Sequence, residues 1–277
     1  MPADLLLPFG GSDAALPPLY CVHSASGSAY PYLPLAGLLD GRPVVGVEAP
    51  GYDGDGLPPA DLRELADEYV RTVEEDCPER ELCLLGWSMG GSVAFAMAQR
   101  LRARGYRVPL LVLVDAQAQD GGPVPPASRV LARFATDLLT EAGLARPAEL
   151  AAGVLGDLPP EAPTVTAWPL FHRAGLLPEE LDAGTLDRRF EVFRRNVTAL
   201  HANRPEPGYP GRVLVVEASE SAPGTLRWTD VAHDVRTVTV PGDHFSIWRG
   251  PGLTALGAAV RDALREASAP RPEGAPA

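Results

Sequence analysis

The stretch that most constrains the fold of this chain is LCLLGWSMGG, at residues 82–91. An apolar run of β type leads into GWSMG, and a helical pattern follows it, with apolar residues at Val93, Ala94, Met97 and Leu101. A strand, a G-x-S-x-G turn and a helix in succession are typical of a nucleophile elbow. The two glycines leave room where a Cβ would clash with the neighbouring strand and helix. We therefore predict that Ser88 is a nucleophile on a strained turn.

Strand-like and helix-like segments alternate on both sides of this turn. We predict further strands at residues 19–23, 43–48, 110–115, 212–216 and 235–240, and helices at residues 32–39, 62–73 and 253–266. The run at residues 110–114 is apolar on both faces, which is typical of a central strand in a parallel sheet. The fold class is therefore α/β, with a doubly wound, mostly parallel sheet.

Residues 119–207 interrupt this alternation. Helical segments occur there without a convincing strand, and one of them carries the apolar stripe Leu186, Phe190, Phe193, Val197 and Leu200. The segment is too long for an ordinary connection, so we interpret it as an inserted helical lid. We predict one domain over residues 1–277 that contains this lid, and a disordered tail at residues 268–277, which are rich in proline and alanine.

Composition and charge exclude several classes of protein. The net charge of −12 argues against binding to nucleic acid or to an anionic membrane. We find no membrane-spanning run, no signal peptide and no Cys/His spacing typical of a metal site. The odd set Cys21, Cys77 and Cys83 indicates buried thiols in a reducing compartment, so we expect a cytoplasmic protein. Without a secretory signal, the glycosylation sequon at Asn196 is interpreted as incidental.

A serine nucleophile needs a base, and the chain offers five histidines. His244 alone lies in a loop between the last predicted strand and the last predicted helix. Because that loop follows the carboxyl end of a strand, it is expected to lie at the same sheet edge as Ser88. We therefore predict that His244 is the base. A loop histidine that merely caps the final helix is the alternative.

The base needs a carboxylate, and position alone leaves this choice open. Asp115 ends the strand after the elbow helix, whereas Glu217 and Glu220 end or follow the next strand. Either place would bring a carboxylate to the catalytic edge of the sheet. A turn or capping role is the alternative for Asp115.

An oxyanion hole is the third requirement. The amide of Met89, which follows the nucleophile, is the first candidate donor. The loop HSASGS at residues 23–28 follows the first core strand, and its small residues would let its backbone approach a substrate. We predict that Ala25 supplies the second donor, with an ordinary tight turn as the alternative.

Together these segments resemble the thioesterase domains of nonribosomal peptide synthetases and polyketide synthases. The resemblance rests on HSASGS with a following Tyr-Pro-Leu segment, LLGWSMGGSVAFAMAQRLRARG, LLVLVDA and PGDHFS. It implies the α/β-hydrolase fold, a triad of Ser88, Asp115 and His244, and oxyanion amides at Ala25 and Met89. The acid that follows the strand after the elbow helix is thereby favoured over Glu217. The family implies no bound cofactor and no metal.

The resemblance also implies a reaction and a partner. A chain held as a thioester on the phosphopantetheine arm of a carrier protein would pass to Ser88. It would then leave by hydrolysis or macrocyclisation. Trp168, Phe171 and Leu176 in the lid are candidates to line an acyl channel, with core packing as the alternative. Two other functions stay open: a general carboxylester hydrolase or lipase of the same fold, and an inactive binding module. The sequence suits both a terminal releasing domain and a free-standing editing enzyme.

Overall fold

The computed structural model describes residues 5–118, 121–156, 158, 164–178, 181–222 and 224–268. Their strands are β1 (Leu6–Gly10), β2 (Leu19–Val22), β3 (Val44–Val47), β4 (Cys83–Trp87), β5 (Leu111–Val114), β6 (Tyr209–Ala218) and β7 (Ala232–Val240). Their α-helices are α1 (Leu33–Ala36), α2 (Leu62–Asp76), α3 (Met89–Ala103), α4 (Ala127–Glu141), α5 (Pro147–Leu155), α6 (Thr164–Arg173), α7 (Ala183–Ala202) and α8 (Gly250–Ser268). Short 3-10 helices lie at Tyr30–Tyr32, Trp228–Asp230 and Ser246–Trp248.

The seven strands form one sheet in the order β1-β3-β2-β4-β5-β6-β7. All neighbouring pairs are parallel except β1 with β3, so the prediction of a mostly parallel sheet is confirmed. β2, β4 and β5 are buried along their whole length, because helices cover both faces of the sheet. Alternate residues of β4 enter two separate hydrophobic clusters, Leu84 on one face and Cys83 and Leu85 on the other. Because the faces of the sheet are covered, a site can be expected at the edge formed by the carboxyl ends of the strands.

Two local features differ from the sequence predictions. β1 was not expected, and it pairs antiparallel with β3 at the edge of the sheet, where Pro8 is tolerated. The helix predicted at residues 32–39 is shorter, since only Leu33–Ala36 is α-helical and a 3-10 turn precedes it. Pro31 and Pro34 restrict this segment, because neither residue can donate a backbone hydrogen bond.

Four helices, α4 to α7, lie between β5 and β6, and the described residues of this segment include no strand. We call α4 to α7 the insertion helices. Their apolar side chains form one cluster with those of α2 and α3, so the insertion packs directly on the sheet layer. At its centre, Phe134 makes edge contacts with Trp168, Phe190 and Phe193 at ring-centroid distances of 5.8, 5.5 and 5.4 Å. Such aromatic pairs stabilise the helix packing beyond the area that they bury.

The predicted tail at residues 268–277 lies outside the described residues, apart from Ser268, which ends α8. Within the described part of the chain, no helix combines the length and the apolar character needed to cross a membrane. The three cysteines are unpaired and buried.

Candidate active site

Ser88 stands between β4 and α3 in a strained backbone conformation. Its φ is +56° and its ψ is −127°, and its N–H donates to the carbonyl of Val114 in β5 over 3.1 Å. A Cβ on Gly86 would lie 2.1 Å from the carbonyl oxygen of Gly90, and one on Gly90 would lie 2.3 Å from that of Val22. Both flanking glycines are therefore required by close backbone approach, as the sequence predicts. This geometry is that of a nucleophile elbow.

Asp115 follows β5 directly, and its carboxylate is held by three donors. His244 Nδ1 lies 2.6 Å from Oδ2, the N–H of Ala218 donates to Oδ1 over 3.1 Å, and the Ser221 hydroxyl lies 2.9 and 3.0 Å from the two oxygens. The side chain is buried. Burial by itself would raise the pKa of Asp115, but the hydrogen bonds from His244, Ala218 and Ser221 lower it below its usual value. The carboxylate is therefore ionised at neutral pH.

His244 is carried by a turn that the following residues stabilise. The Asp243 carboxylate accepts hydrogen bonds from the N–H groups of Phe245 and Ser246 over 2.9 and 2.7 Å, and the Ser246 hydroxyl accepts from Asp243 N–H over 2.8 Å. The imidazole also packs beside the Trp87 ring, with centroids 5.1 Å apart. Because Nδ1 faces an ionised carboxylate, the contact favours the tautomer with its proton on Nδ1, which leaves the lone pair of Nε2 free. His244 is thereby prepared to accept a proton.

Ser88 and His244 line one cavity of about 380 Å³, together with Met89 and Asp115. Among the described residues, no hydrogen bond joins Ser88 Oγ to the His244 ring, although the bond from that ring to Asp115 is formed. Catalytic hydrogen bonds of this type are often long before substrate binds and tighten in the complex. Ser88, Asp115 and His244 thus line one cavity, and proton transfer would need Ser88 Oγ and the His244 ring to come into hydrogen-bond contact.

Glu217 and Glu220, the alternative acids, are not part of this arrangement. Glu217 lies on β6, opposite Thr239 of β7, and Glu220 is exposed beyond the strand. In the described chain, the carboxylate that contacts His244 is that of Asp115. Position in the sequence left this choice open, and the hydrogen bond favours Asp115.

The two candidate oxyanion donors differ in their positions. Met89 begins α3 and lines the cavity, and its N–H donates to no other described residue. Ala25 is buried in the loop at residues 23–28 and is not among the residues that line the cavity. That loop nevertheless touches the elbow, since a Cβ on Gly90 would lie 2.5 Å from the carbonyl oxygen of His23. The roles of both amides stay predictions.

Buried polar contacts hold the loop at residues 23–28. His23 is fully buried, with Nδ1 2.6 Å from the carbonyl of Ser24 and Nε2 2.5 Å from the Tyr69 hydroxyl. Burial lowers the pKa of His23 to about 4, so the ring is neutral and donates from Nδ1 to Ser24. From the insertion, Asn196 on α7 is fully buried, and its Nδ2 donates to the carbonyl of Ala25 over 3.1 Å. An insertion helix therefore holds the loop that carries a candidate oxyanion donor.

Two contacts of this site, those of Asn196 and Ser221, are not predicted from the sequence. Asn196 was read only as part of a sequon, although it lies three residues after Phe193 on the apolar face of α7, where a buried polar side chain needs a partner. Ser221, which donates to Asp115, lies in a polar stretch without a pattern of its own. The helical spacing of α7 places Asn196 on its apolar face, so that contact could have been predicted. No pattern in the sequence points to Ser221.

Trp168, Phe171 and Leu176 lie away from the described cavity. Trp168 and Phe171 are buried, Leu176 packs against the same cluster, and none of the three is among the residues that line the cavity beside Ser88. Trp168 Nε1 also donates to Asp187 over 2.6 Å, which fixes the ring inside the insertion. Core packing, the alternative in the sequence analysis, describes these positions, and an acyl channel along them stays a prediction.

Asn196 provides a prediction about the loop that contains Ala25. In Asn196→Leu, the Ala25 carbonyl loses its buried donor, so we expect kcat to fall about tenfold through misplacement of the candidate oxyanion amide. KM for a small thioester should change little. The matched control is Thr198→Val on the same helix, where the hydroxyl donates only to the Arg194 carbonyl. A lower melting temperature with kcat unchanged would show that Asn196 serves stability alone.

The sheet and the elbow define an α/β-hydrolase fold. The family profile described as "Thioesterase domain" matches residues 17–157, more than half of the chain. The chain therefore belongs to the thioesterase domain family.

Individual proteins resemble this chain in sequence or in fold. The chain is 41% identical to malpibaldin synthetase of Mortierella alpina over 37% of its own length, and 30% identical to a non-reducing polyketide synthase of Arthrinium sp. over 91%. It spans only 2% and 13% of these relatives. Among solved structures, it is similar to BorB, a type II thioesterase from the borrelidin biosynthetic cluster, with a TM-score of 0.69 and 21% identity. That likeness covers 94% of this chain and 98% of the other.

Proposed function

We propose that this chain releases an acyl, peptidyl or polyketide chain from the thioester of a phosphopantetheinyl carrier protein, through an acyl-enzyme on Ser88. The observation that carries the proposal is the 2.6 Å contact of His244 with the buried Asp115, on the cavity that Ser88 also lines. Membership of the thioesterase domain family supplies the thioester. Synthetases among its relatives support a carrier protein as partner.

The proposed reaction has two halves. In the first, His244 Nε2 accepts the Ser88 proton while Oγ attacks the thioester carbonyl, and the tetrahedral intermediate expels the thiol, which takes that proton. In the second, water or a nucleophile of the chain itself attacks the acyl-enzyme in the same way and releases an acid or a ring. Asp115 holds the His244 tautomer and stabilises its cation in both halves. The amides of Met89 and Ala25 are assigned to the developing oxyanion.

This reaction needs no cofactor, in keeping with thioesterase domains of this fold. The thioester carbonyl is already electrophilic, so the protein mainly has to deprotonate Ser88. The buried free thiols Cys21, Cys77 and Cys83 support a reducing, cytoplasmic location.

The insertion helices are proposed as the lid of a single catalytic domain. Arg133 of α4 and Leu200 and His201 of α7 line the cavity beside Ser88, so helices of the insertion contribute one of its walls. Their position would control how much water reaches the acyl-enzyme, and hence the balance between hydrolysis and cyclisation. The lid assignment covers residues 119–207.

The test compares leaving groups and carriers for one acyl chain. The chain is offered as a carrier-protein thioester, as an N-acetylcysteamine thioester and as the matching ethyl ester. We expect kcat/KM to be highest for the carrier thioester and lowest for the ester. Efficient cleavage of the ester with poor cleavage of both thioesters would assign the chain to general ester hydrolysis instead.

A further inference from the structure

The insertion helices contribute two basic side chains, Arg133 and His201, and one apolar side chain, Leu200, to the cavity wall. Besides the catalytic side chains, the cavity is lined by Gln117, Thr225, Arg133 and His201, with Leu200 and Leu226 as its larger apolar side chains. Arg133 comes from α4 and His201 from α7, so two separate helices bring basic groups to one space. A site built for a plain hydrocarbon chain would be lined mostly by apolar groups.

Arg133 is exposed and has no hydrogen-bonded or ion-paired partner in the described part of the chain. No ion pair within 4.0 Å and no hydrogen bond is formed by its guanidinium, although the protein carries 36 acidic residues against 24 basic ones. Asp137, one turn further along α4, forms no ion pair with Arg133 within 4.0 Å, although the Arg133 charge partly offsets the rise that burial causes in the pKa of Asp137. By contrast, Arg189 of α7 bonds Asp53 over 3.3 Å and stacks on the Tyr52 ring at 4.5 Å. An unpaired cation on the catalytic cavity of an acidic protein is poised for an external anion.

His201 contributes a second polar group to the same cavity wall as Arg133. The imidazole lines the same cavity, and burial together with the charge of Arg133 lowers its pKa. His201 is then neutral at pH 7 and can donate a hydrogen bond without a charge of its own. Arg133 and His201 thus combine one fixed charge with one neutral donor.

We propose that Arg133 and His201 form an anion subsite that selects an acyl chain bearing a carboxylate. The inference rests on the proposed function, because it takes the chain bound to Ser88 as the occupant of the cavity. The carrier arm also bears an anion, its phosphate, but the whole pantetheine separates that phosphate from the thioester. A group that shares the cavity with Ser88 is therefore assigned to the acyl chain.

The experiment uses a pair of N-acetylcysteamine thioesters of equal length, octanoyl and the mono-thioester of octanedioic acid. We expect the wild-type protein to prefer the carboxylate-bearing substrate in kcat/KM by about ten- to hundredfold, the range expected for charge-assisted hydrogen bonds. Arg133→Met should bring the ratio of the two kcat/KM values close to one, and Arg133→Lys should restore part of it. The control is Arg236→Met on β7, outside the cavity and paired with Glu266, which should keep the wild-type ratio.

Two results would overturn the inference. The first is a wild-type ratio near one while both substrates acylate Ser88, which leaves the proposed function intact. The second comes from octanoyl thioesters of pantetheine and 4′-phosphopantetheine. If Arg133→Met weakens only turnover of the phosphorylated substrate, the anion is the phosphate of the arm. Failure of both octanoyl and octanedioyl groups to acylate Ser88 would instead count against the proposed function.

Discussion

Replacing Ser88 with alanine is expected to abolish turnover of every thioester substrate. The substitution removes the proposed nucleophile, so no acyl-enzyme can form, and kcat should fall by about 10⁴-fold or more. The fold should be kept, because the backbone N–H of residue 88 still donates to Val114 and alanine leaves no unpaired polar group. Release of free thiol by the purified variant, measured beside its melting temperature, checks both parts.

Ser92→Ala is the matched control for this experiment. Ser92 lies one turn further along α3 and is buried, and its hydroxyl faces the Gln117 carbonyl at 3.5 Å and does not line the cavity. The control should retain most of the wild-type activity. Substantial turnover by Ser88→Ala, at a rate near that of Ser92→Ala, would show that another group performs the chemistry.

Replacing Asp115 with asparagine is expected to give the second largest effect. Asparagine keeps the shape of the side chain but cannot carry the negative charge that holds the Nδ1 proton of His244. Its amide would also face three donors, from His244, Ala218 and Ser221, with fewer acceptor sites. We expect kcat to fall by about 10³- to 10⁴-fold, with substrate binding little changed. Steady-state kinetics on an N-acetylcysteamine thioester measures both quantities.

Glu217→Gln tests the alternative acid under the same conditions. Glu217 lies on β6 beside β7 and does not contact His244, so its loss of charge should change kcat only slightly. A large loss in Glu217→Gln together with a small loss in Asp115→Asn would reassign the acid. Both substitutions replace a carboxylate with a carboxamide of nearly the same size. A difference between their kcat values therefore reports the position of the lost charge and not a change of side-chain size.

Much of the fold follows from local patterns in the sequence. The elbow was readable because the strand, the glycines and the helix are contiguous, and the run at β5 was readable because both of its faces are apolar. β1 was not, since its five residues include a proline and are only partly buried, so their pairing with β3 comes from tertiary contact. Local periodicity carries no information about an edge strand of this kind.

In the site too, contiguous motifs can be predicted from the sequence and contacts between distant residues cannot. Chain order and the family resemblance led to Ser88, Asp115 and His244, which the structure brings to one cavity. The contacts of Ser221 with Asp115 and of Asn196 with Ala25 join residues 106 and 171 positions apart. No spacing rule reaches that far, so these contacts become visible only when the insertion helices and the loop after β6 are folded onto the sheet.

The cavity wall formed by the insertion helices is the part of the site that is hardest to predict from the sequence. The aromatic residues of the insertion suggested an apolar channel, whereas the described cavity is lined on that side by Arg133, His201 and Leu200. Apolar helical residues such as Trp168 pack against each other in the core, and Arg133 and His201 of the same helical insertion line the cavity. Hydrophobicity alone therefore predicts how the insertion helices pack and not which of their side chains line the cavity.

The mass of the protein during turnover tests directly whether Ser88 is the nucleophile. The wild-type protein is mixed with a carrier-bound thioester, quenched in acid within the first turnovers, and analysed by intact mass and peptide mapping. We expect one added acyl group, located on the peptide that contains Ser88 and absent from Ser88→Ala. An acyl group on another residue, or continued turnover by a protein that cannot be acylated at Ser88, would contradict this expectation.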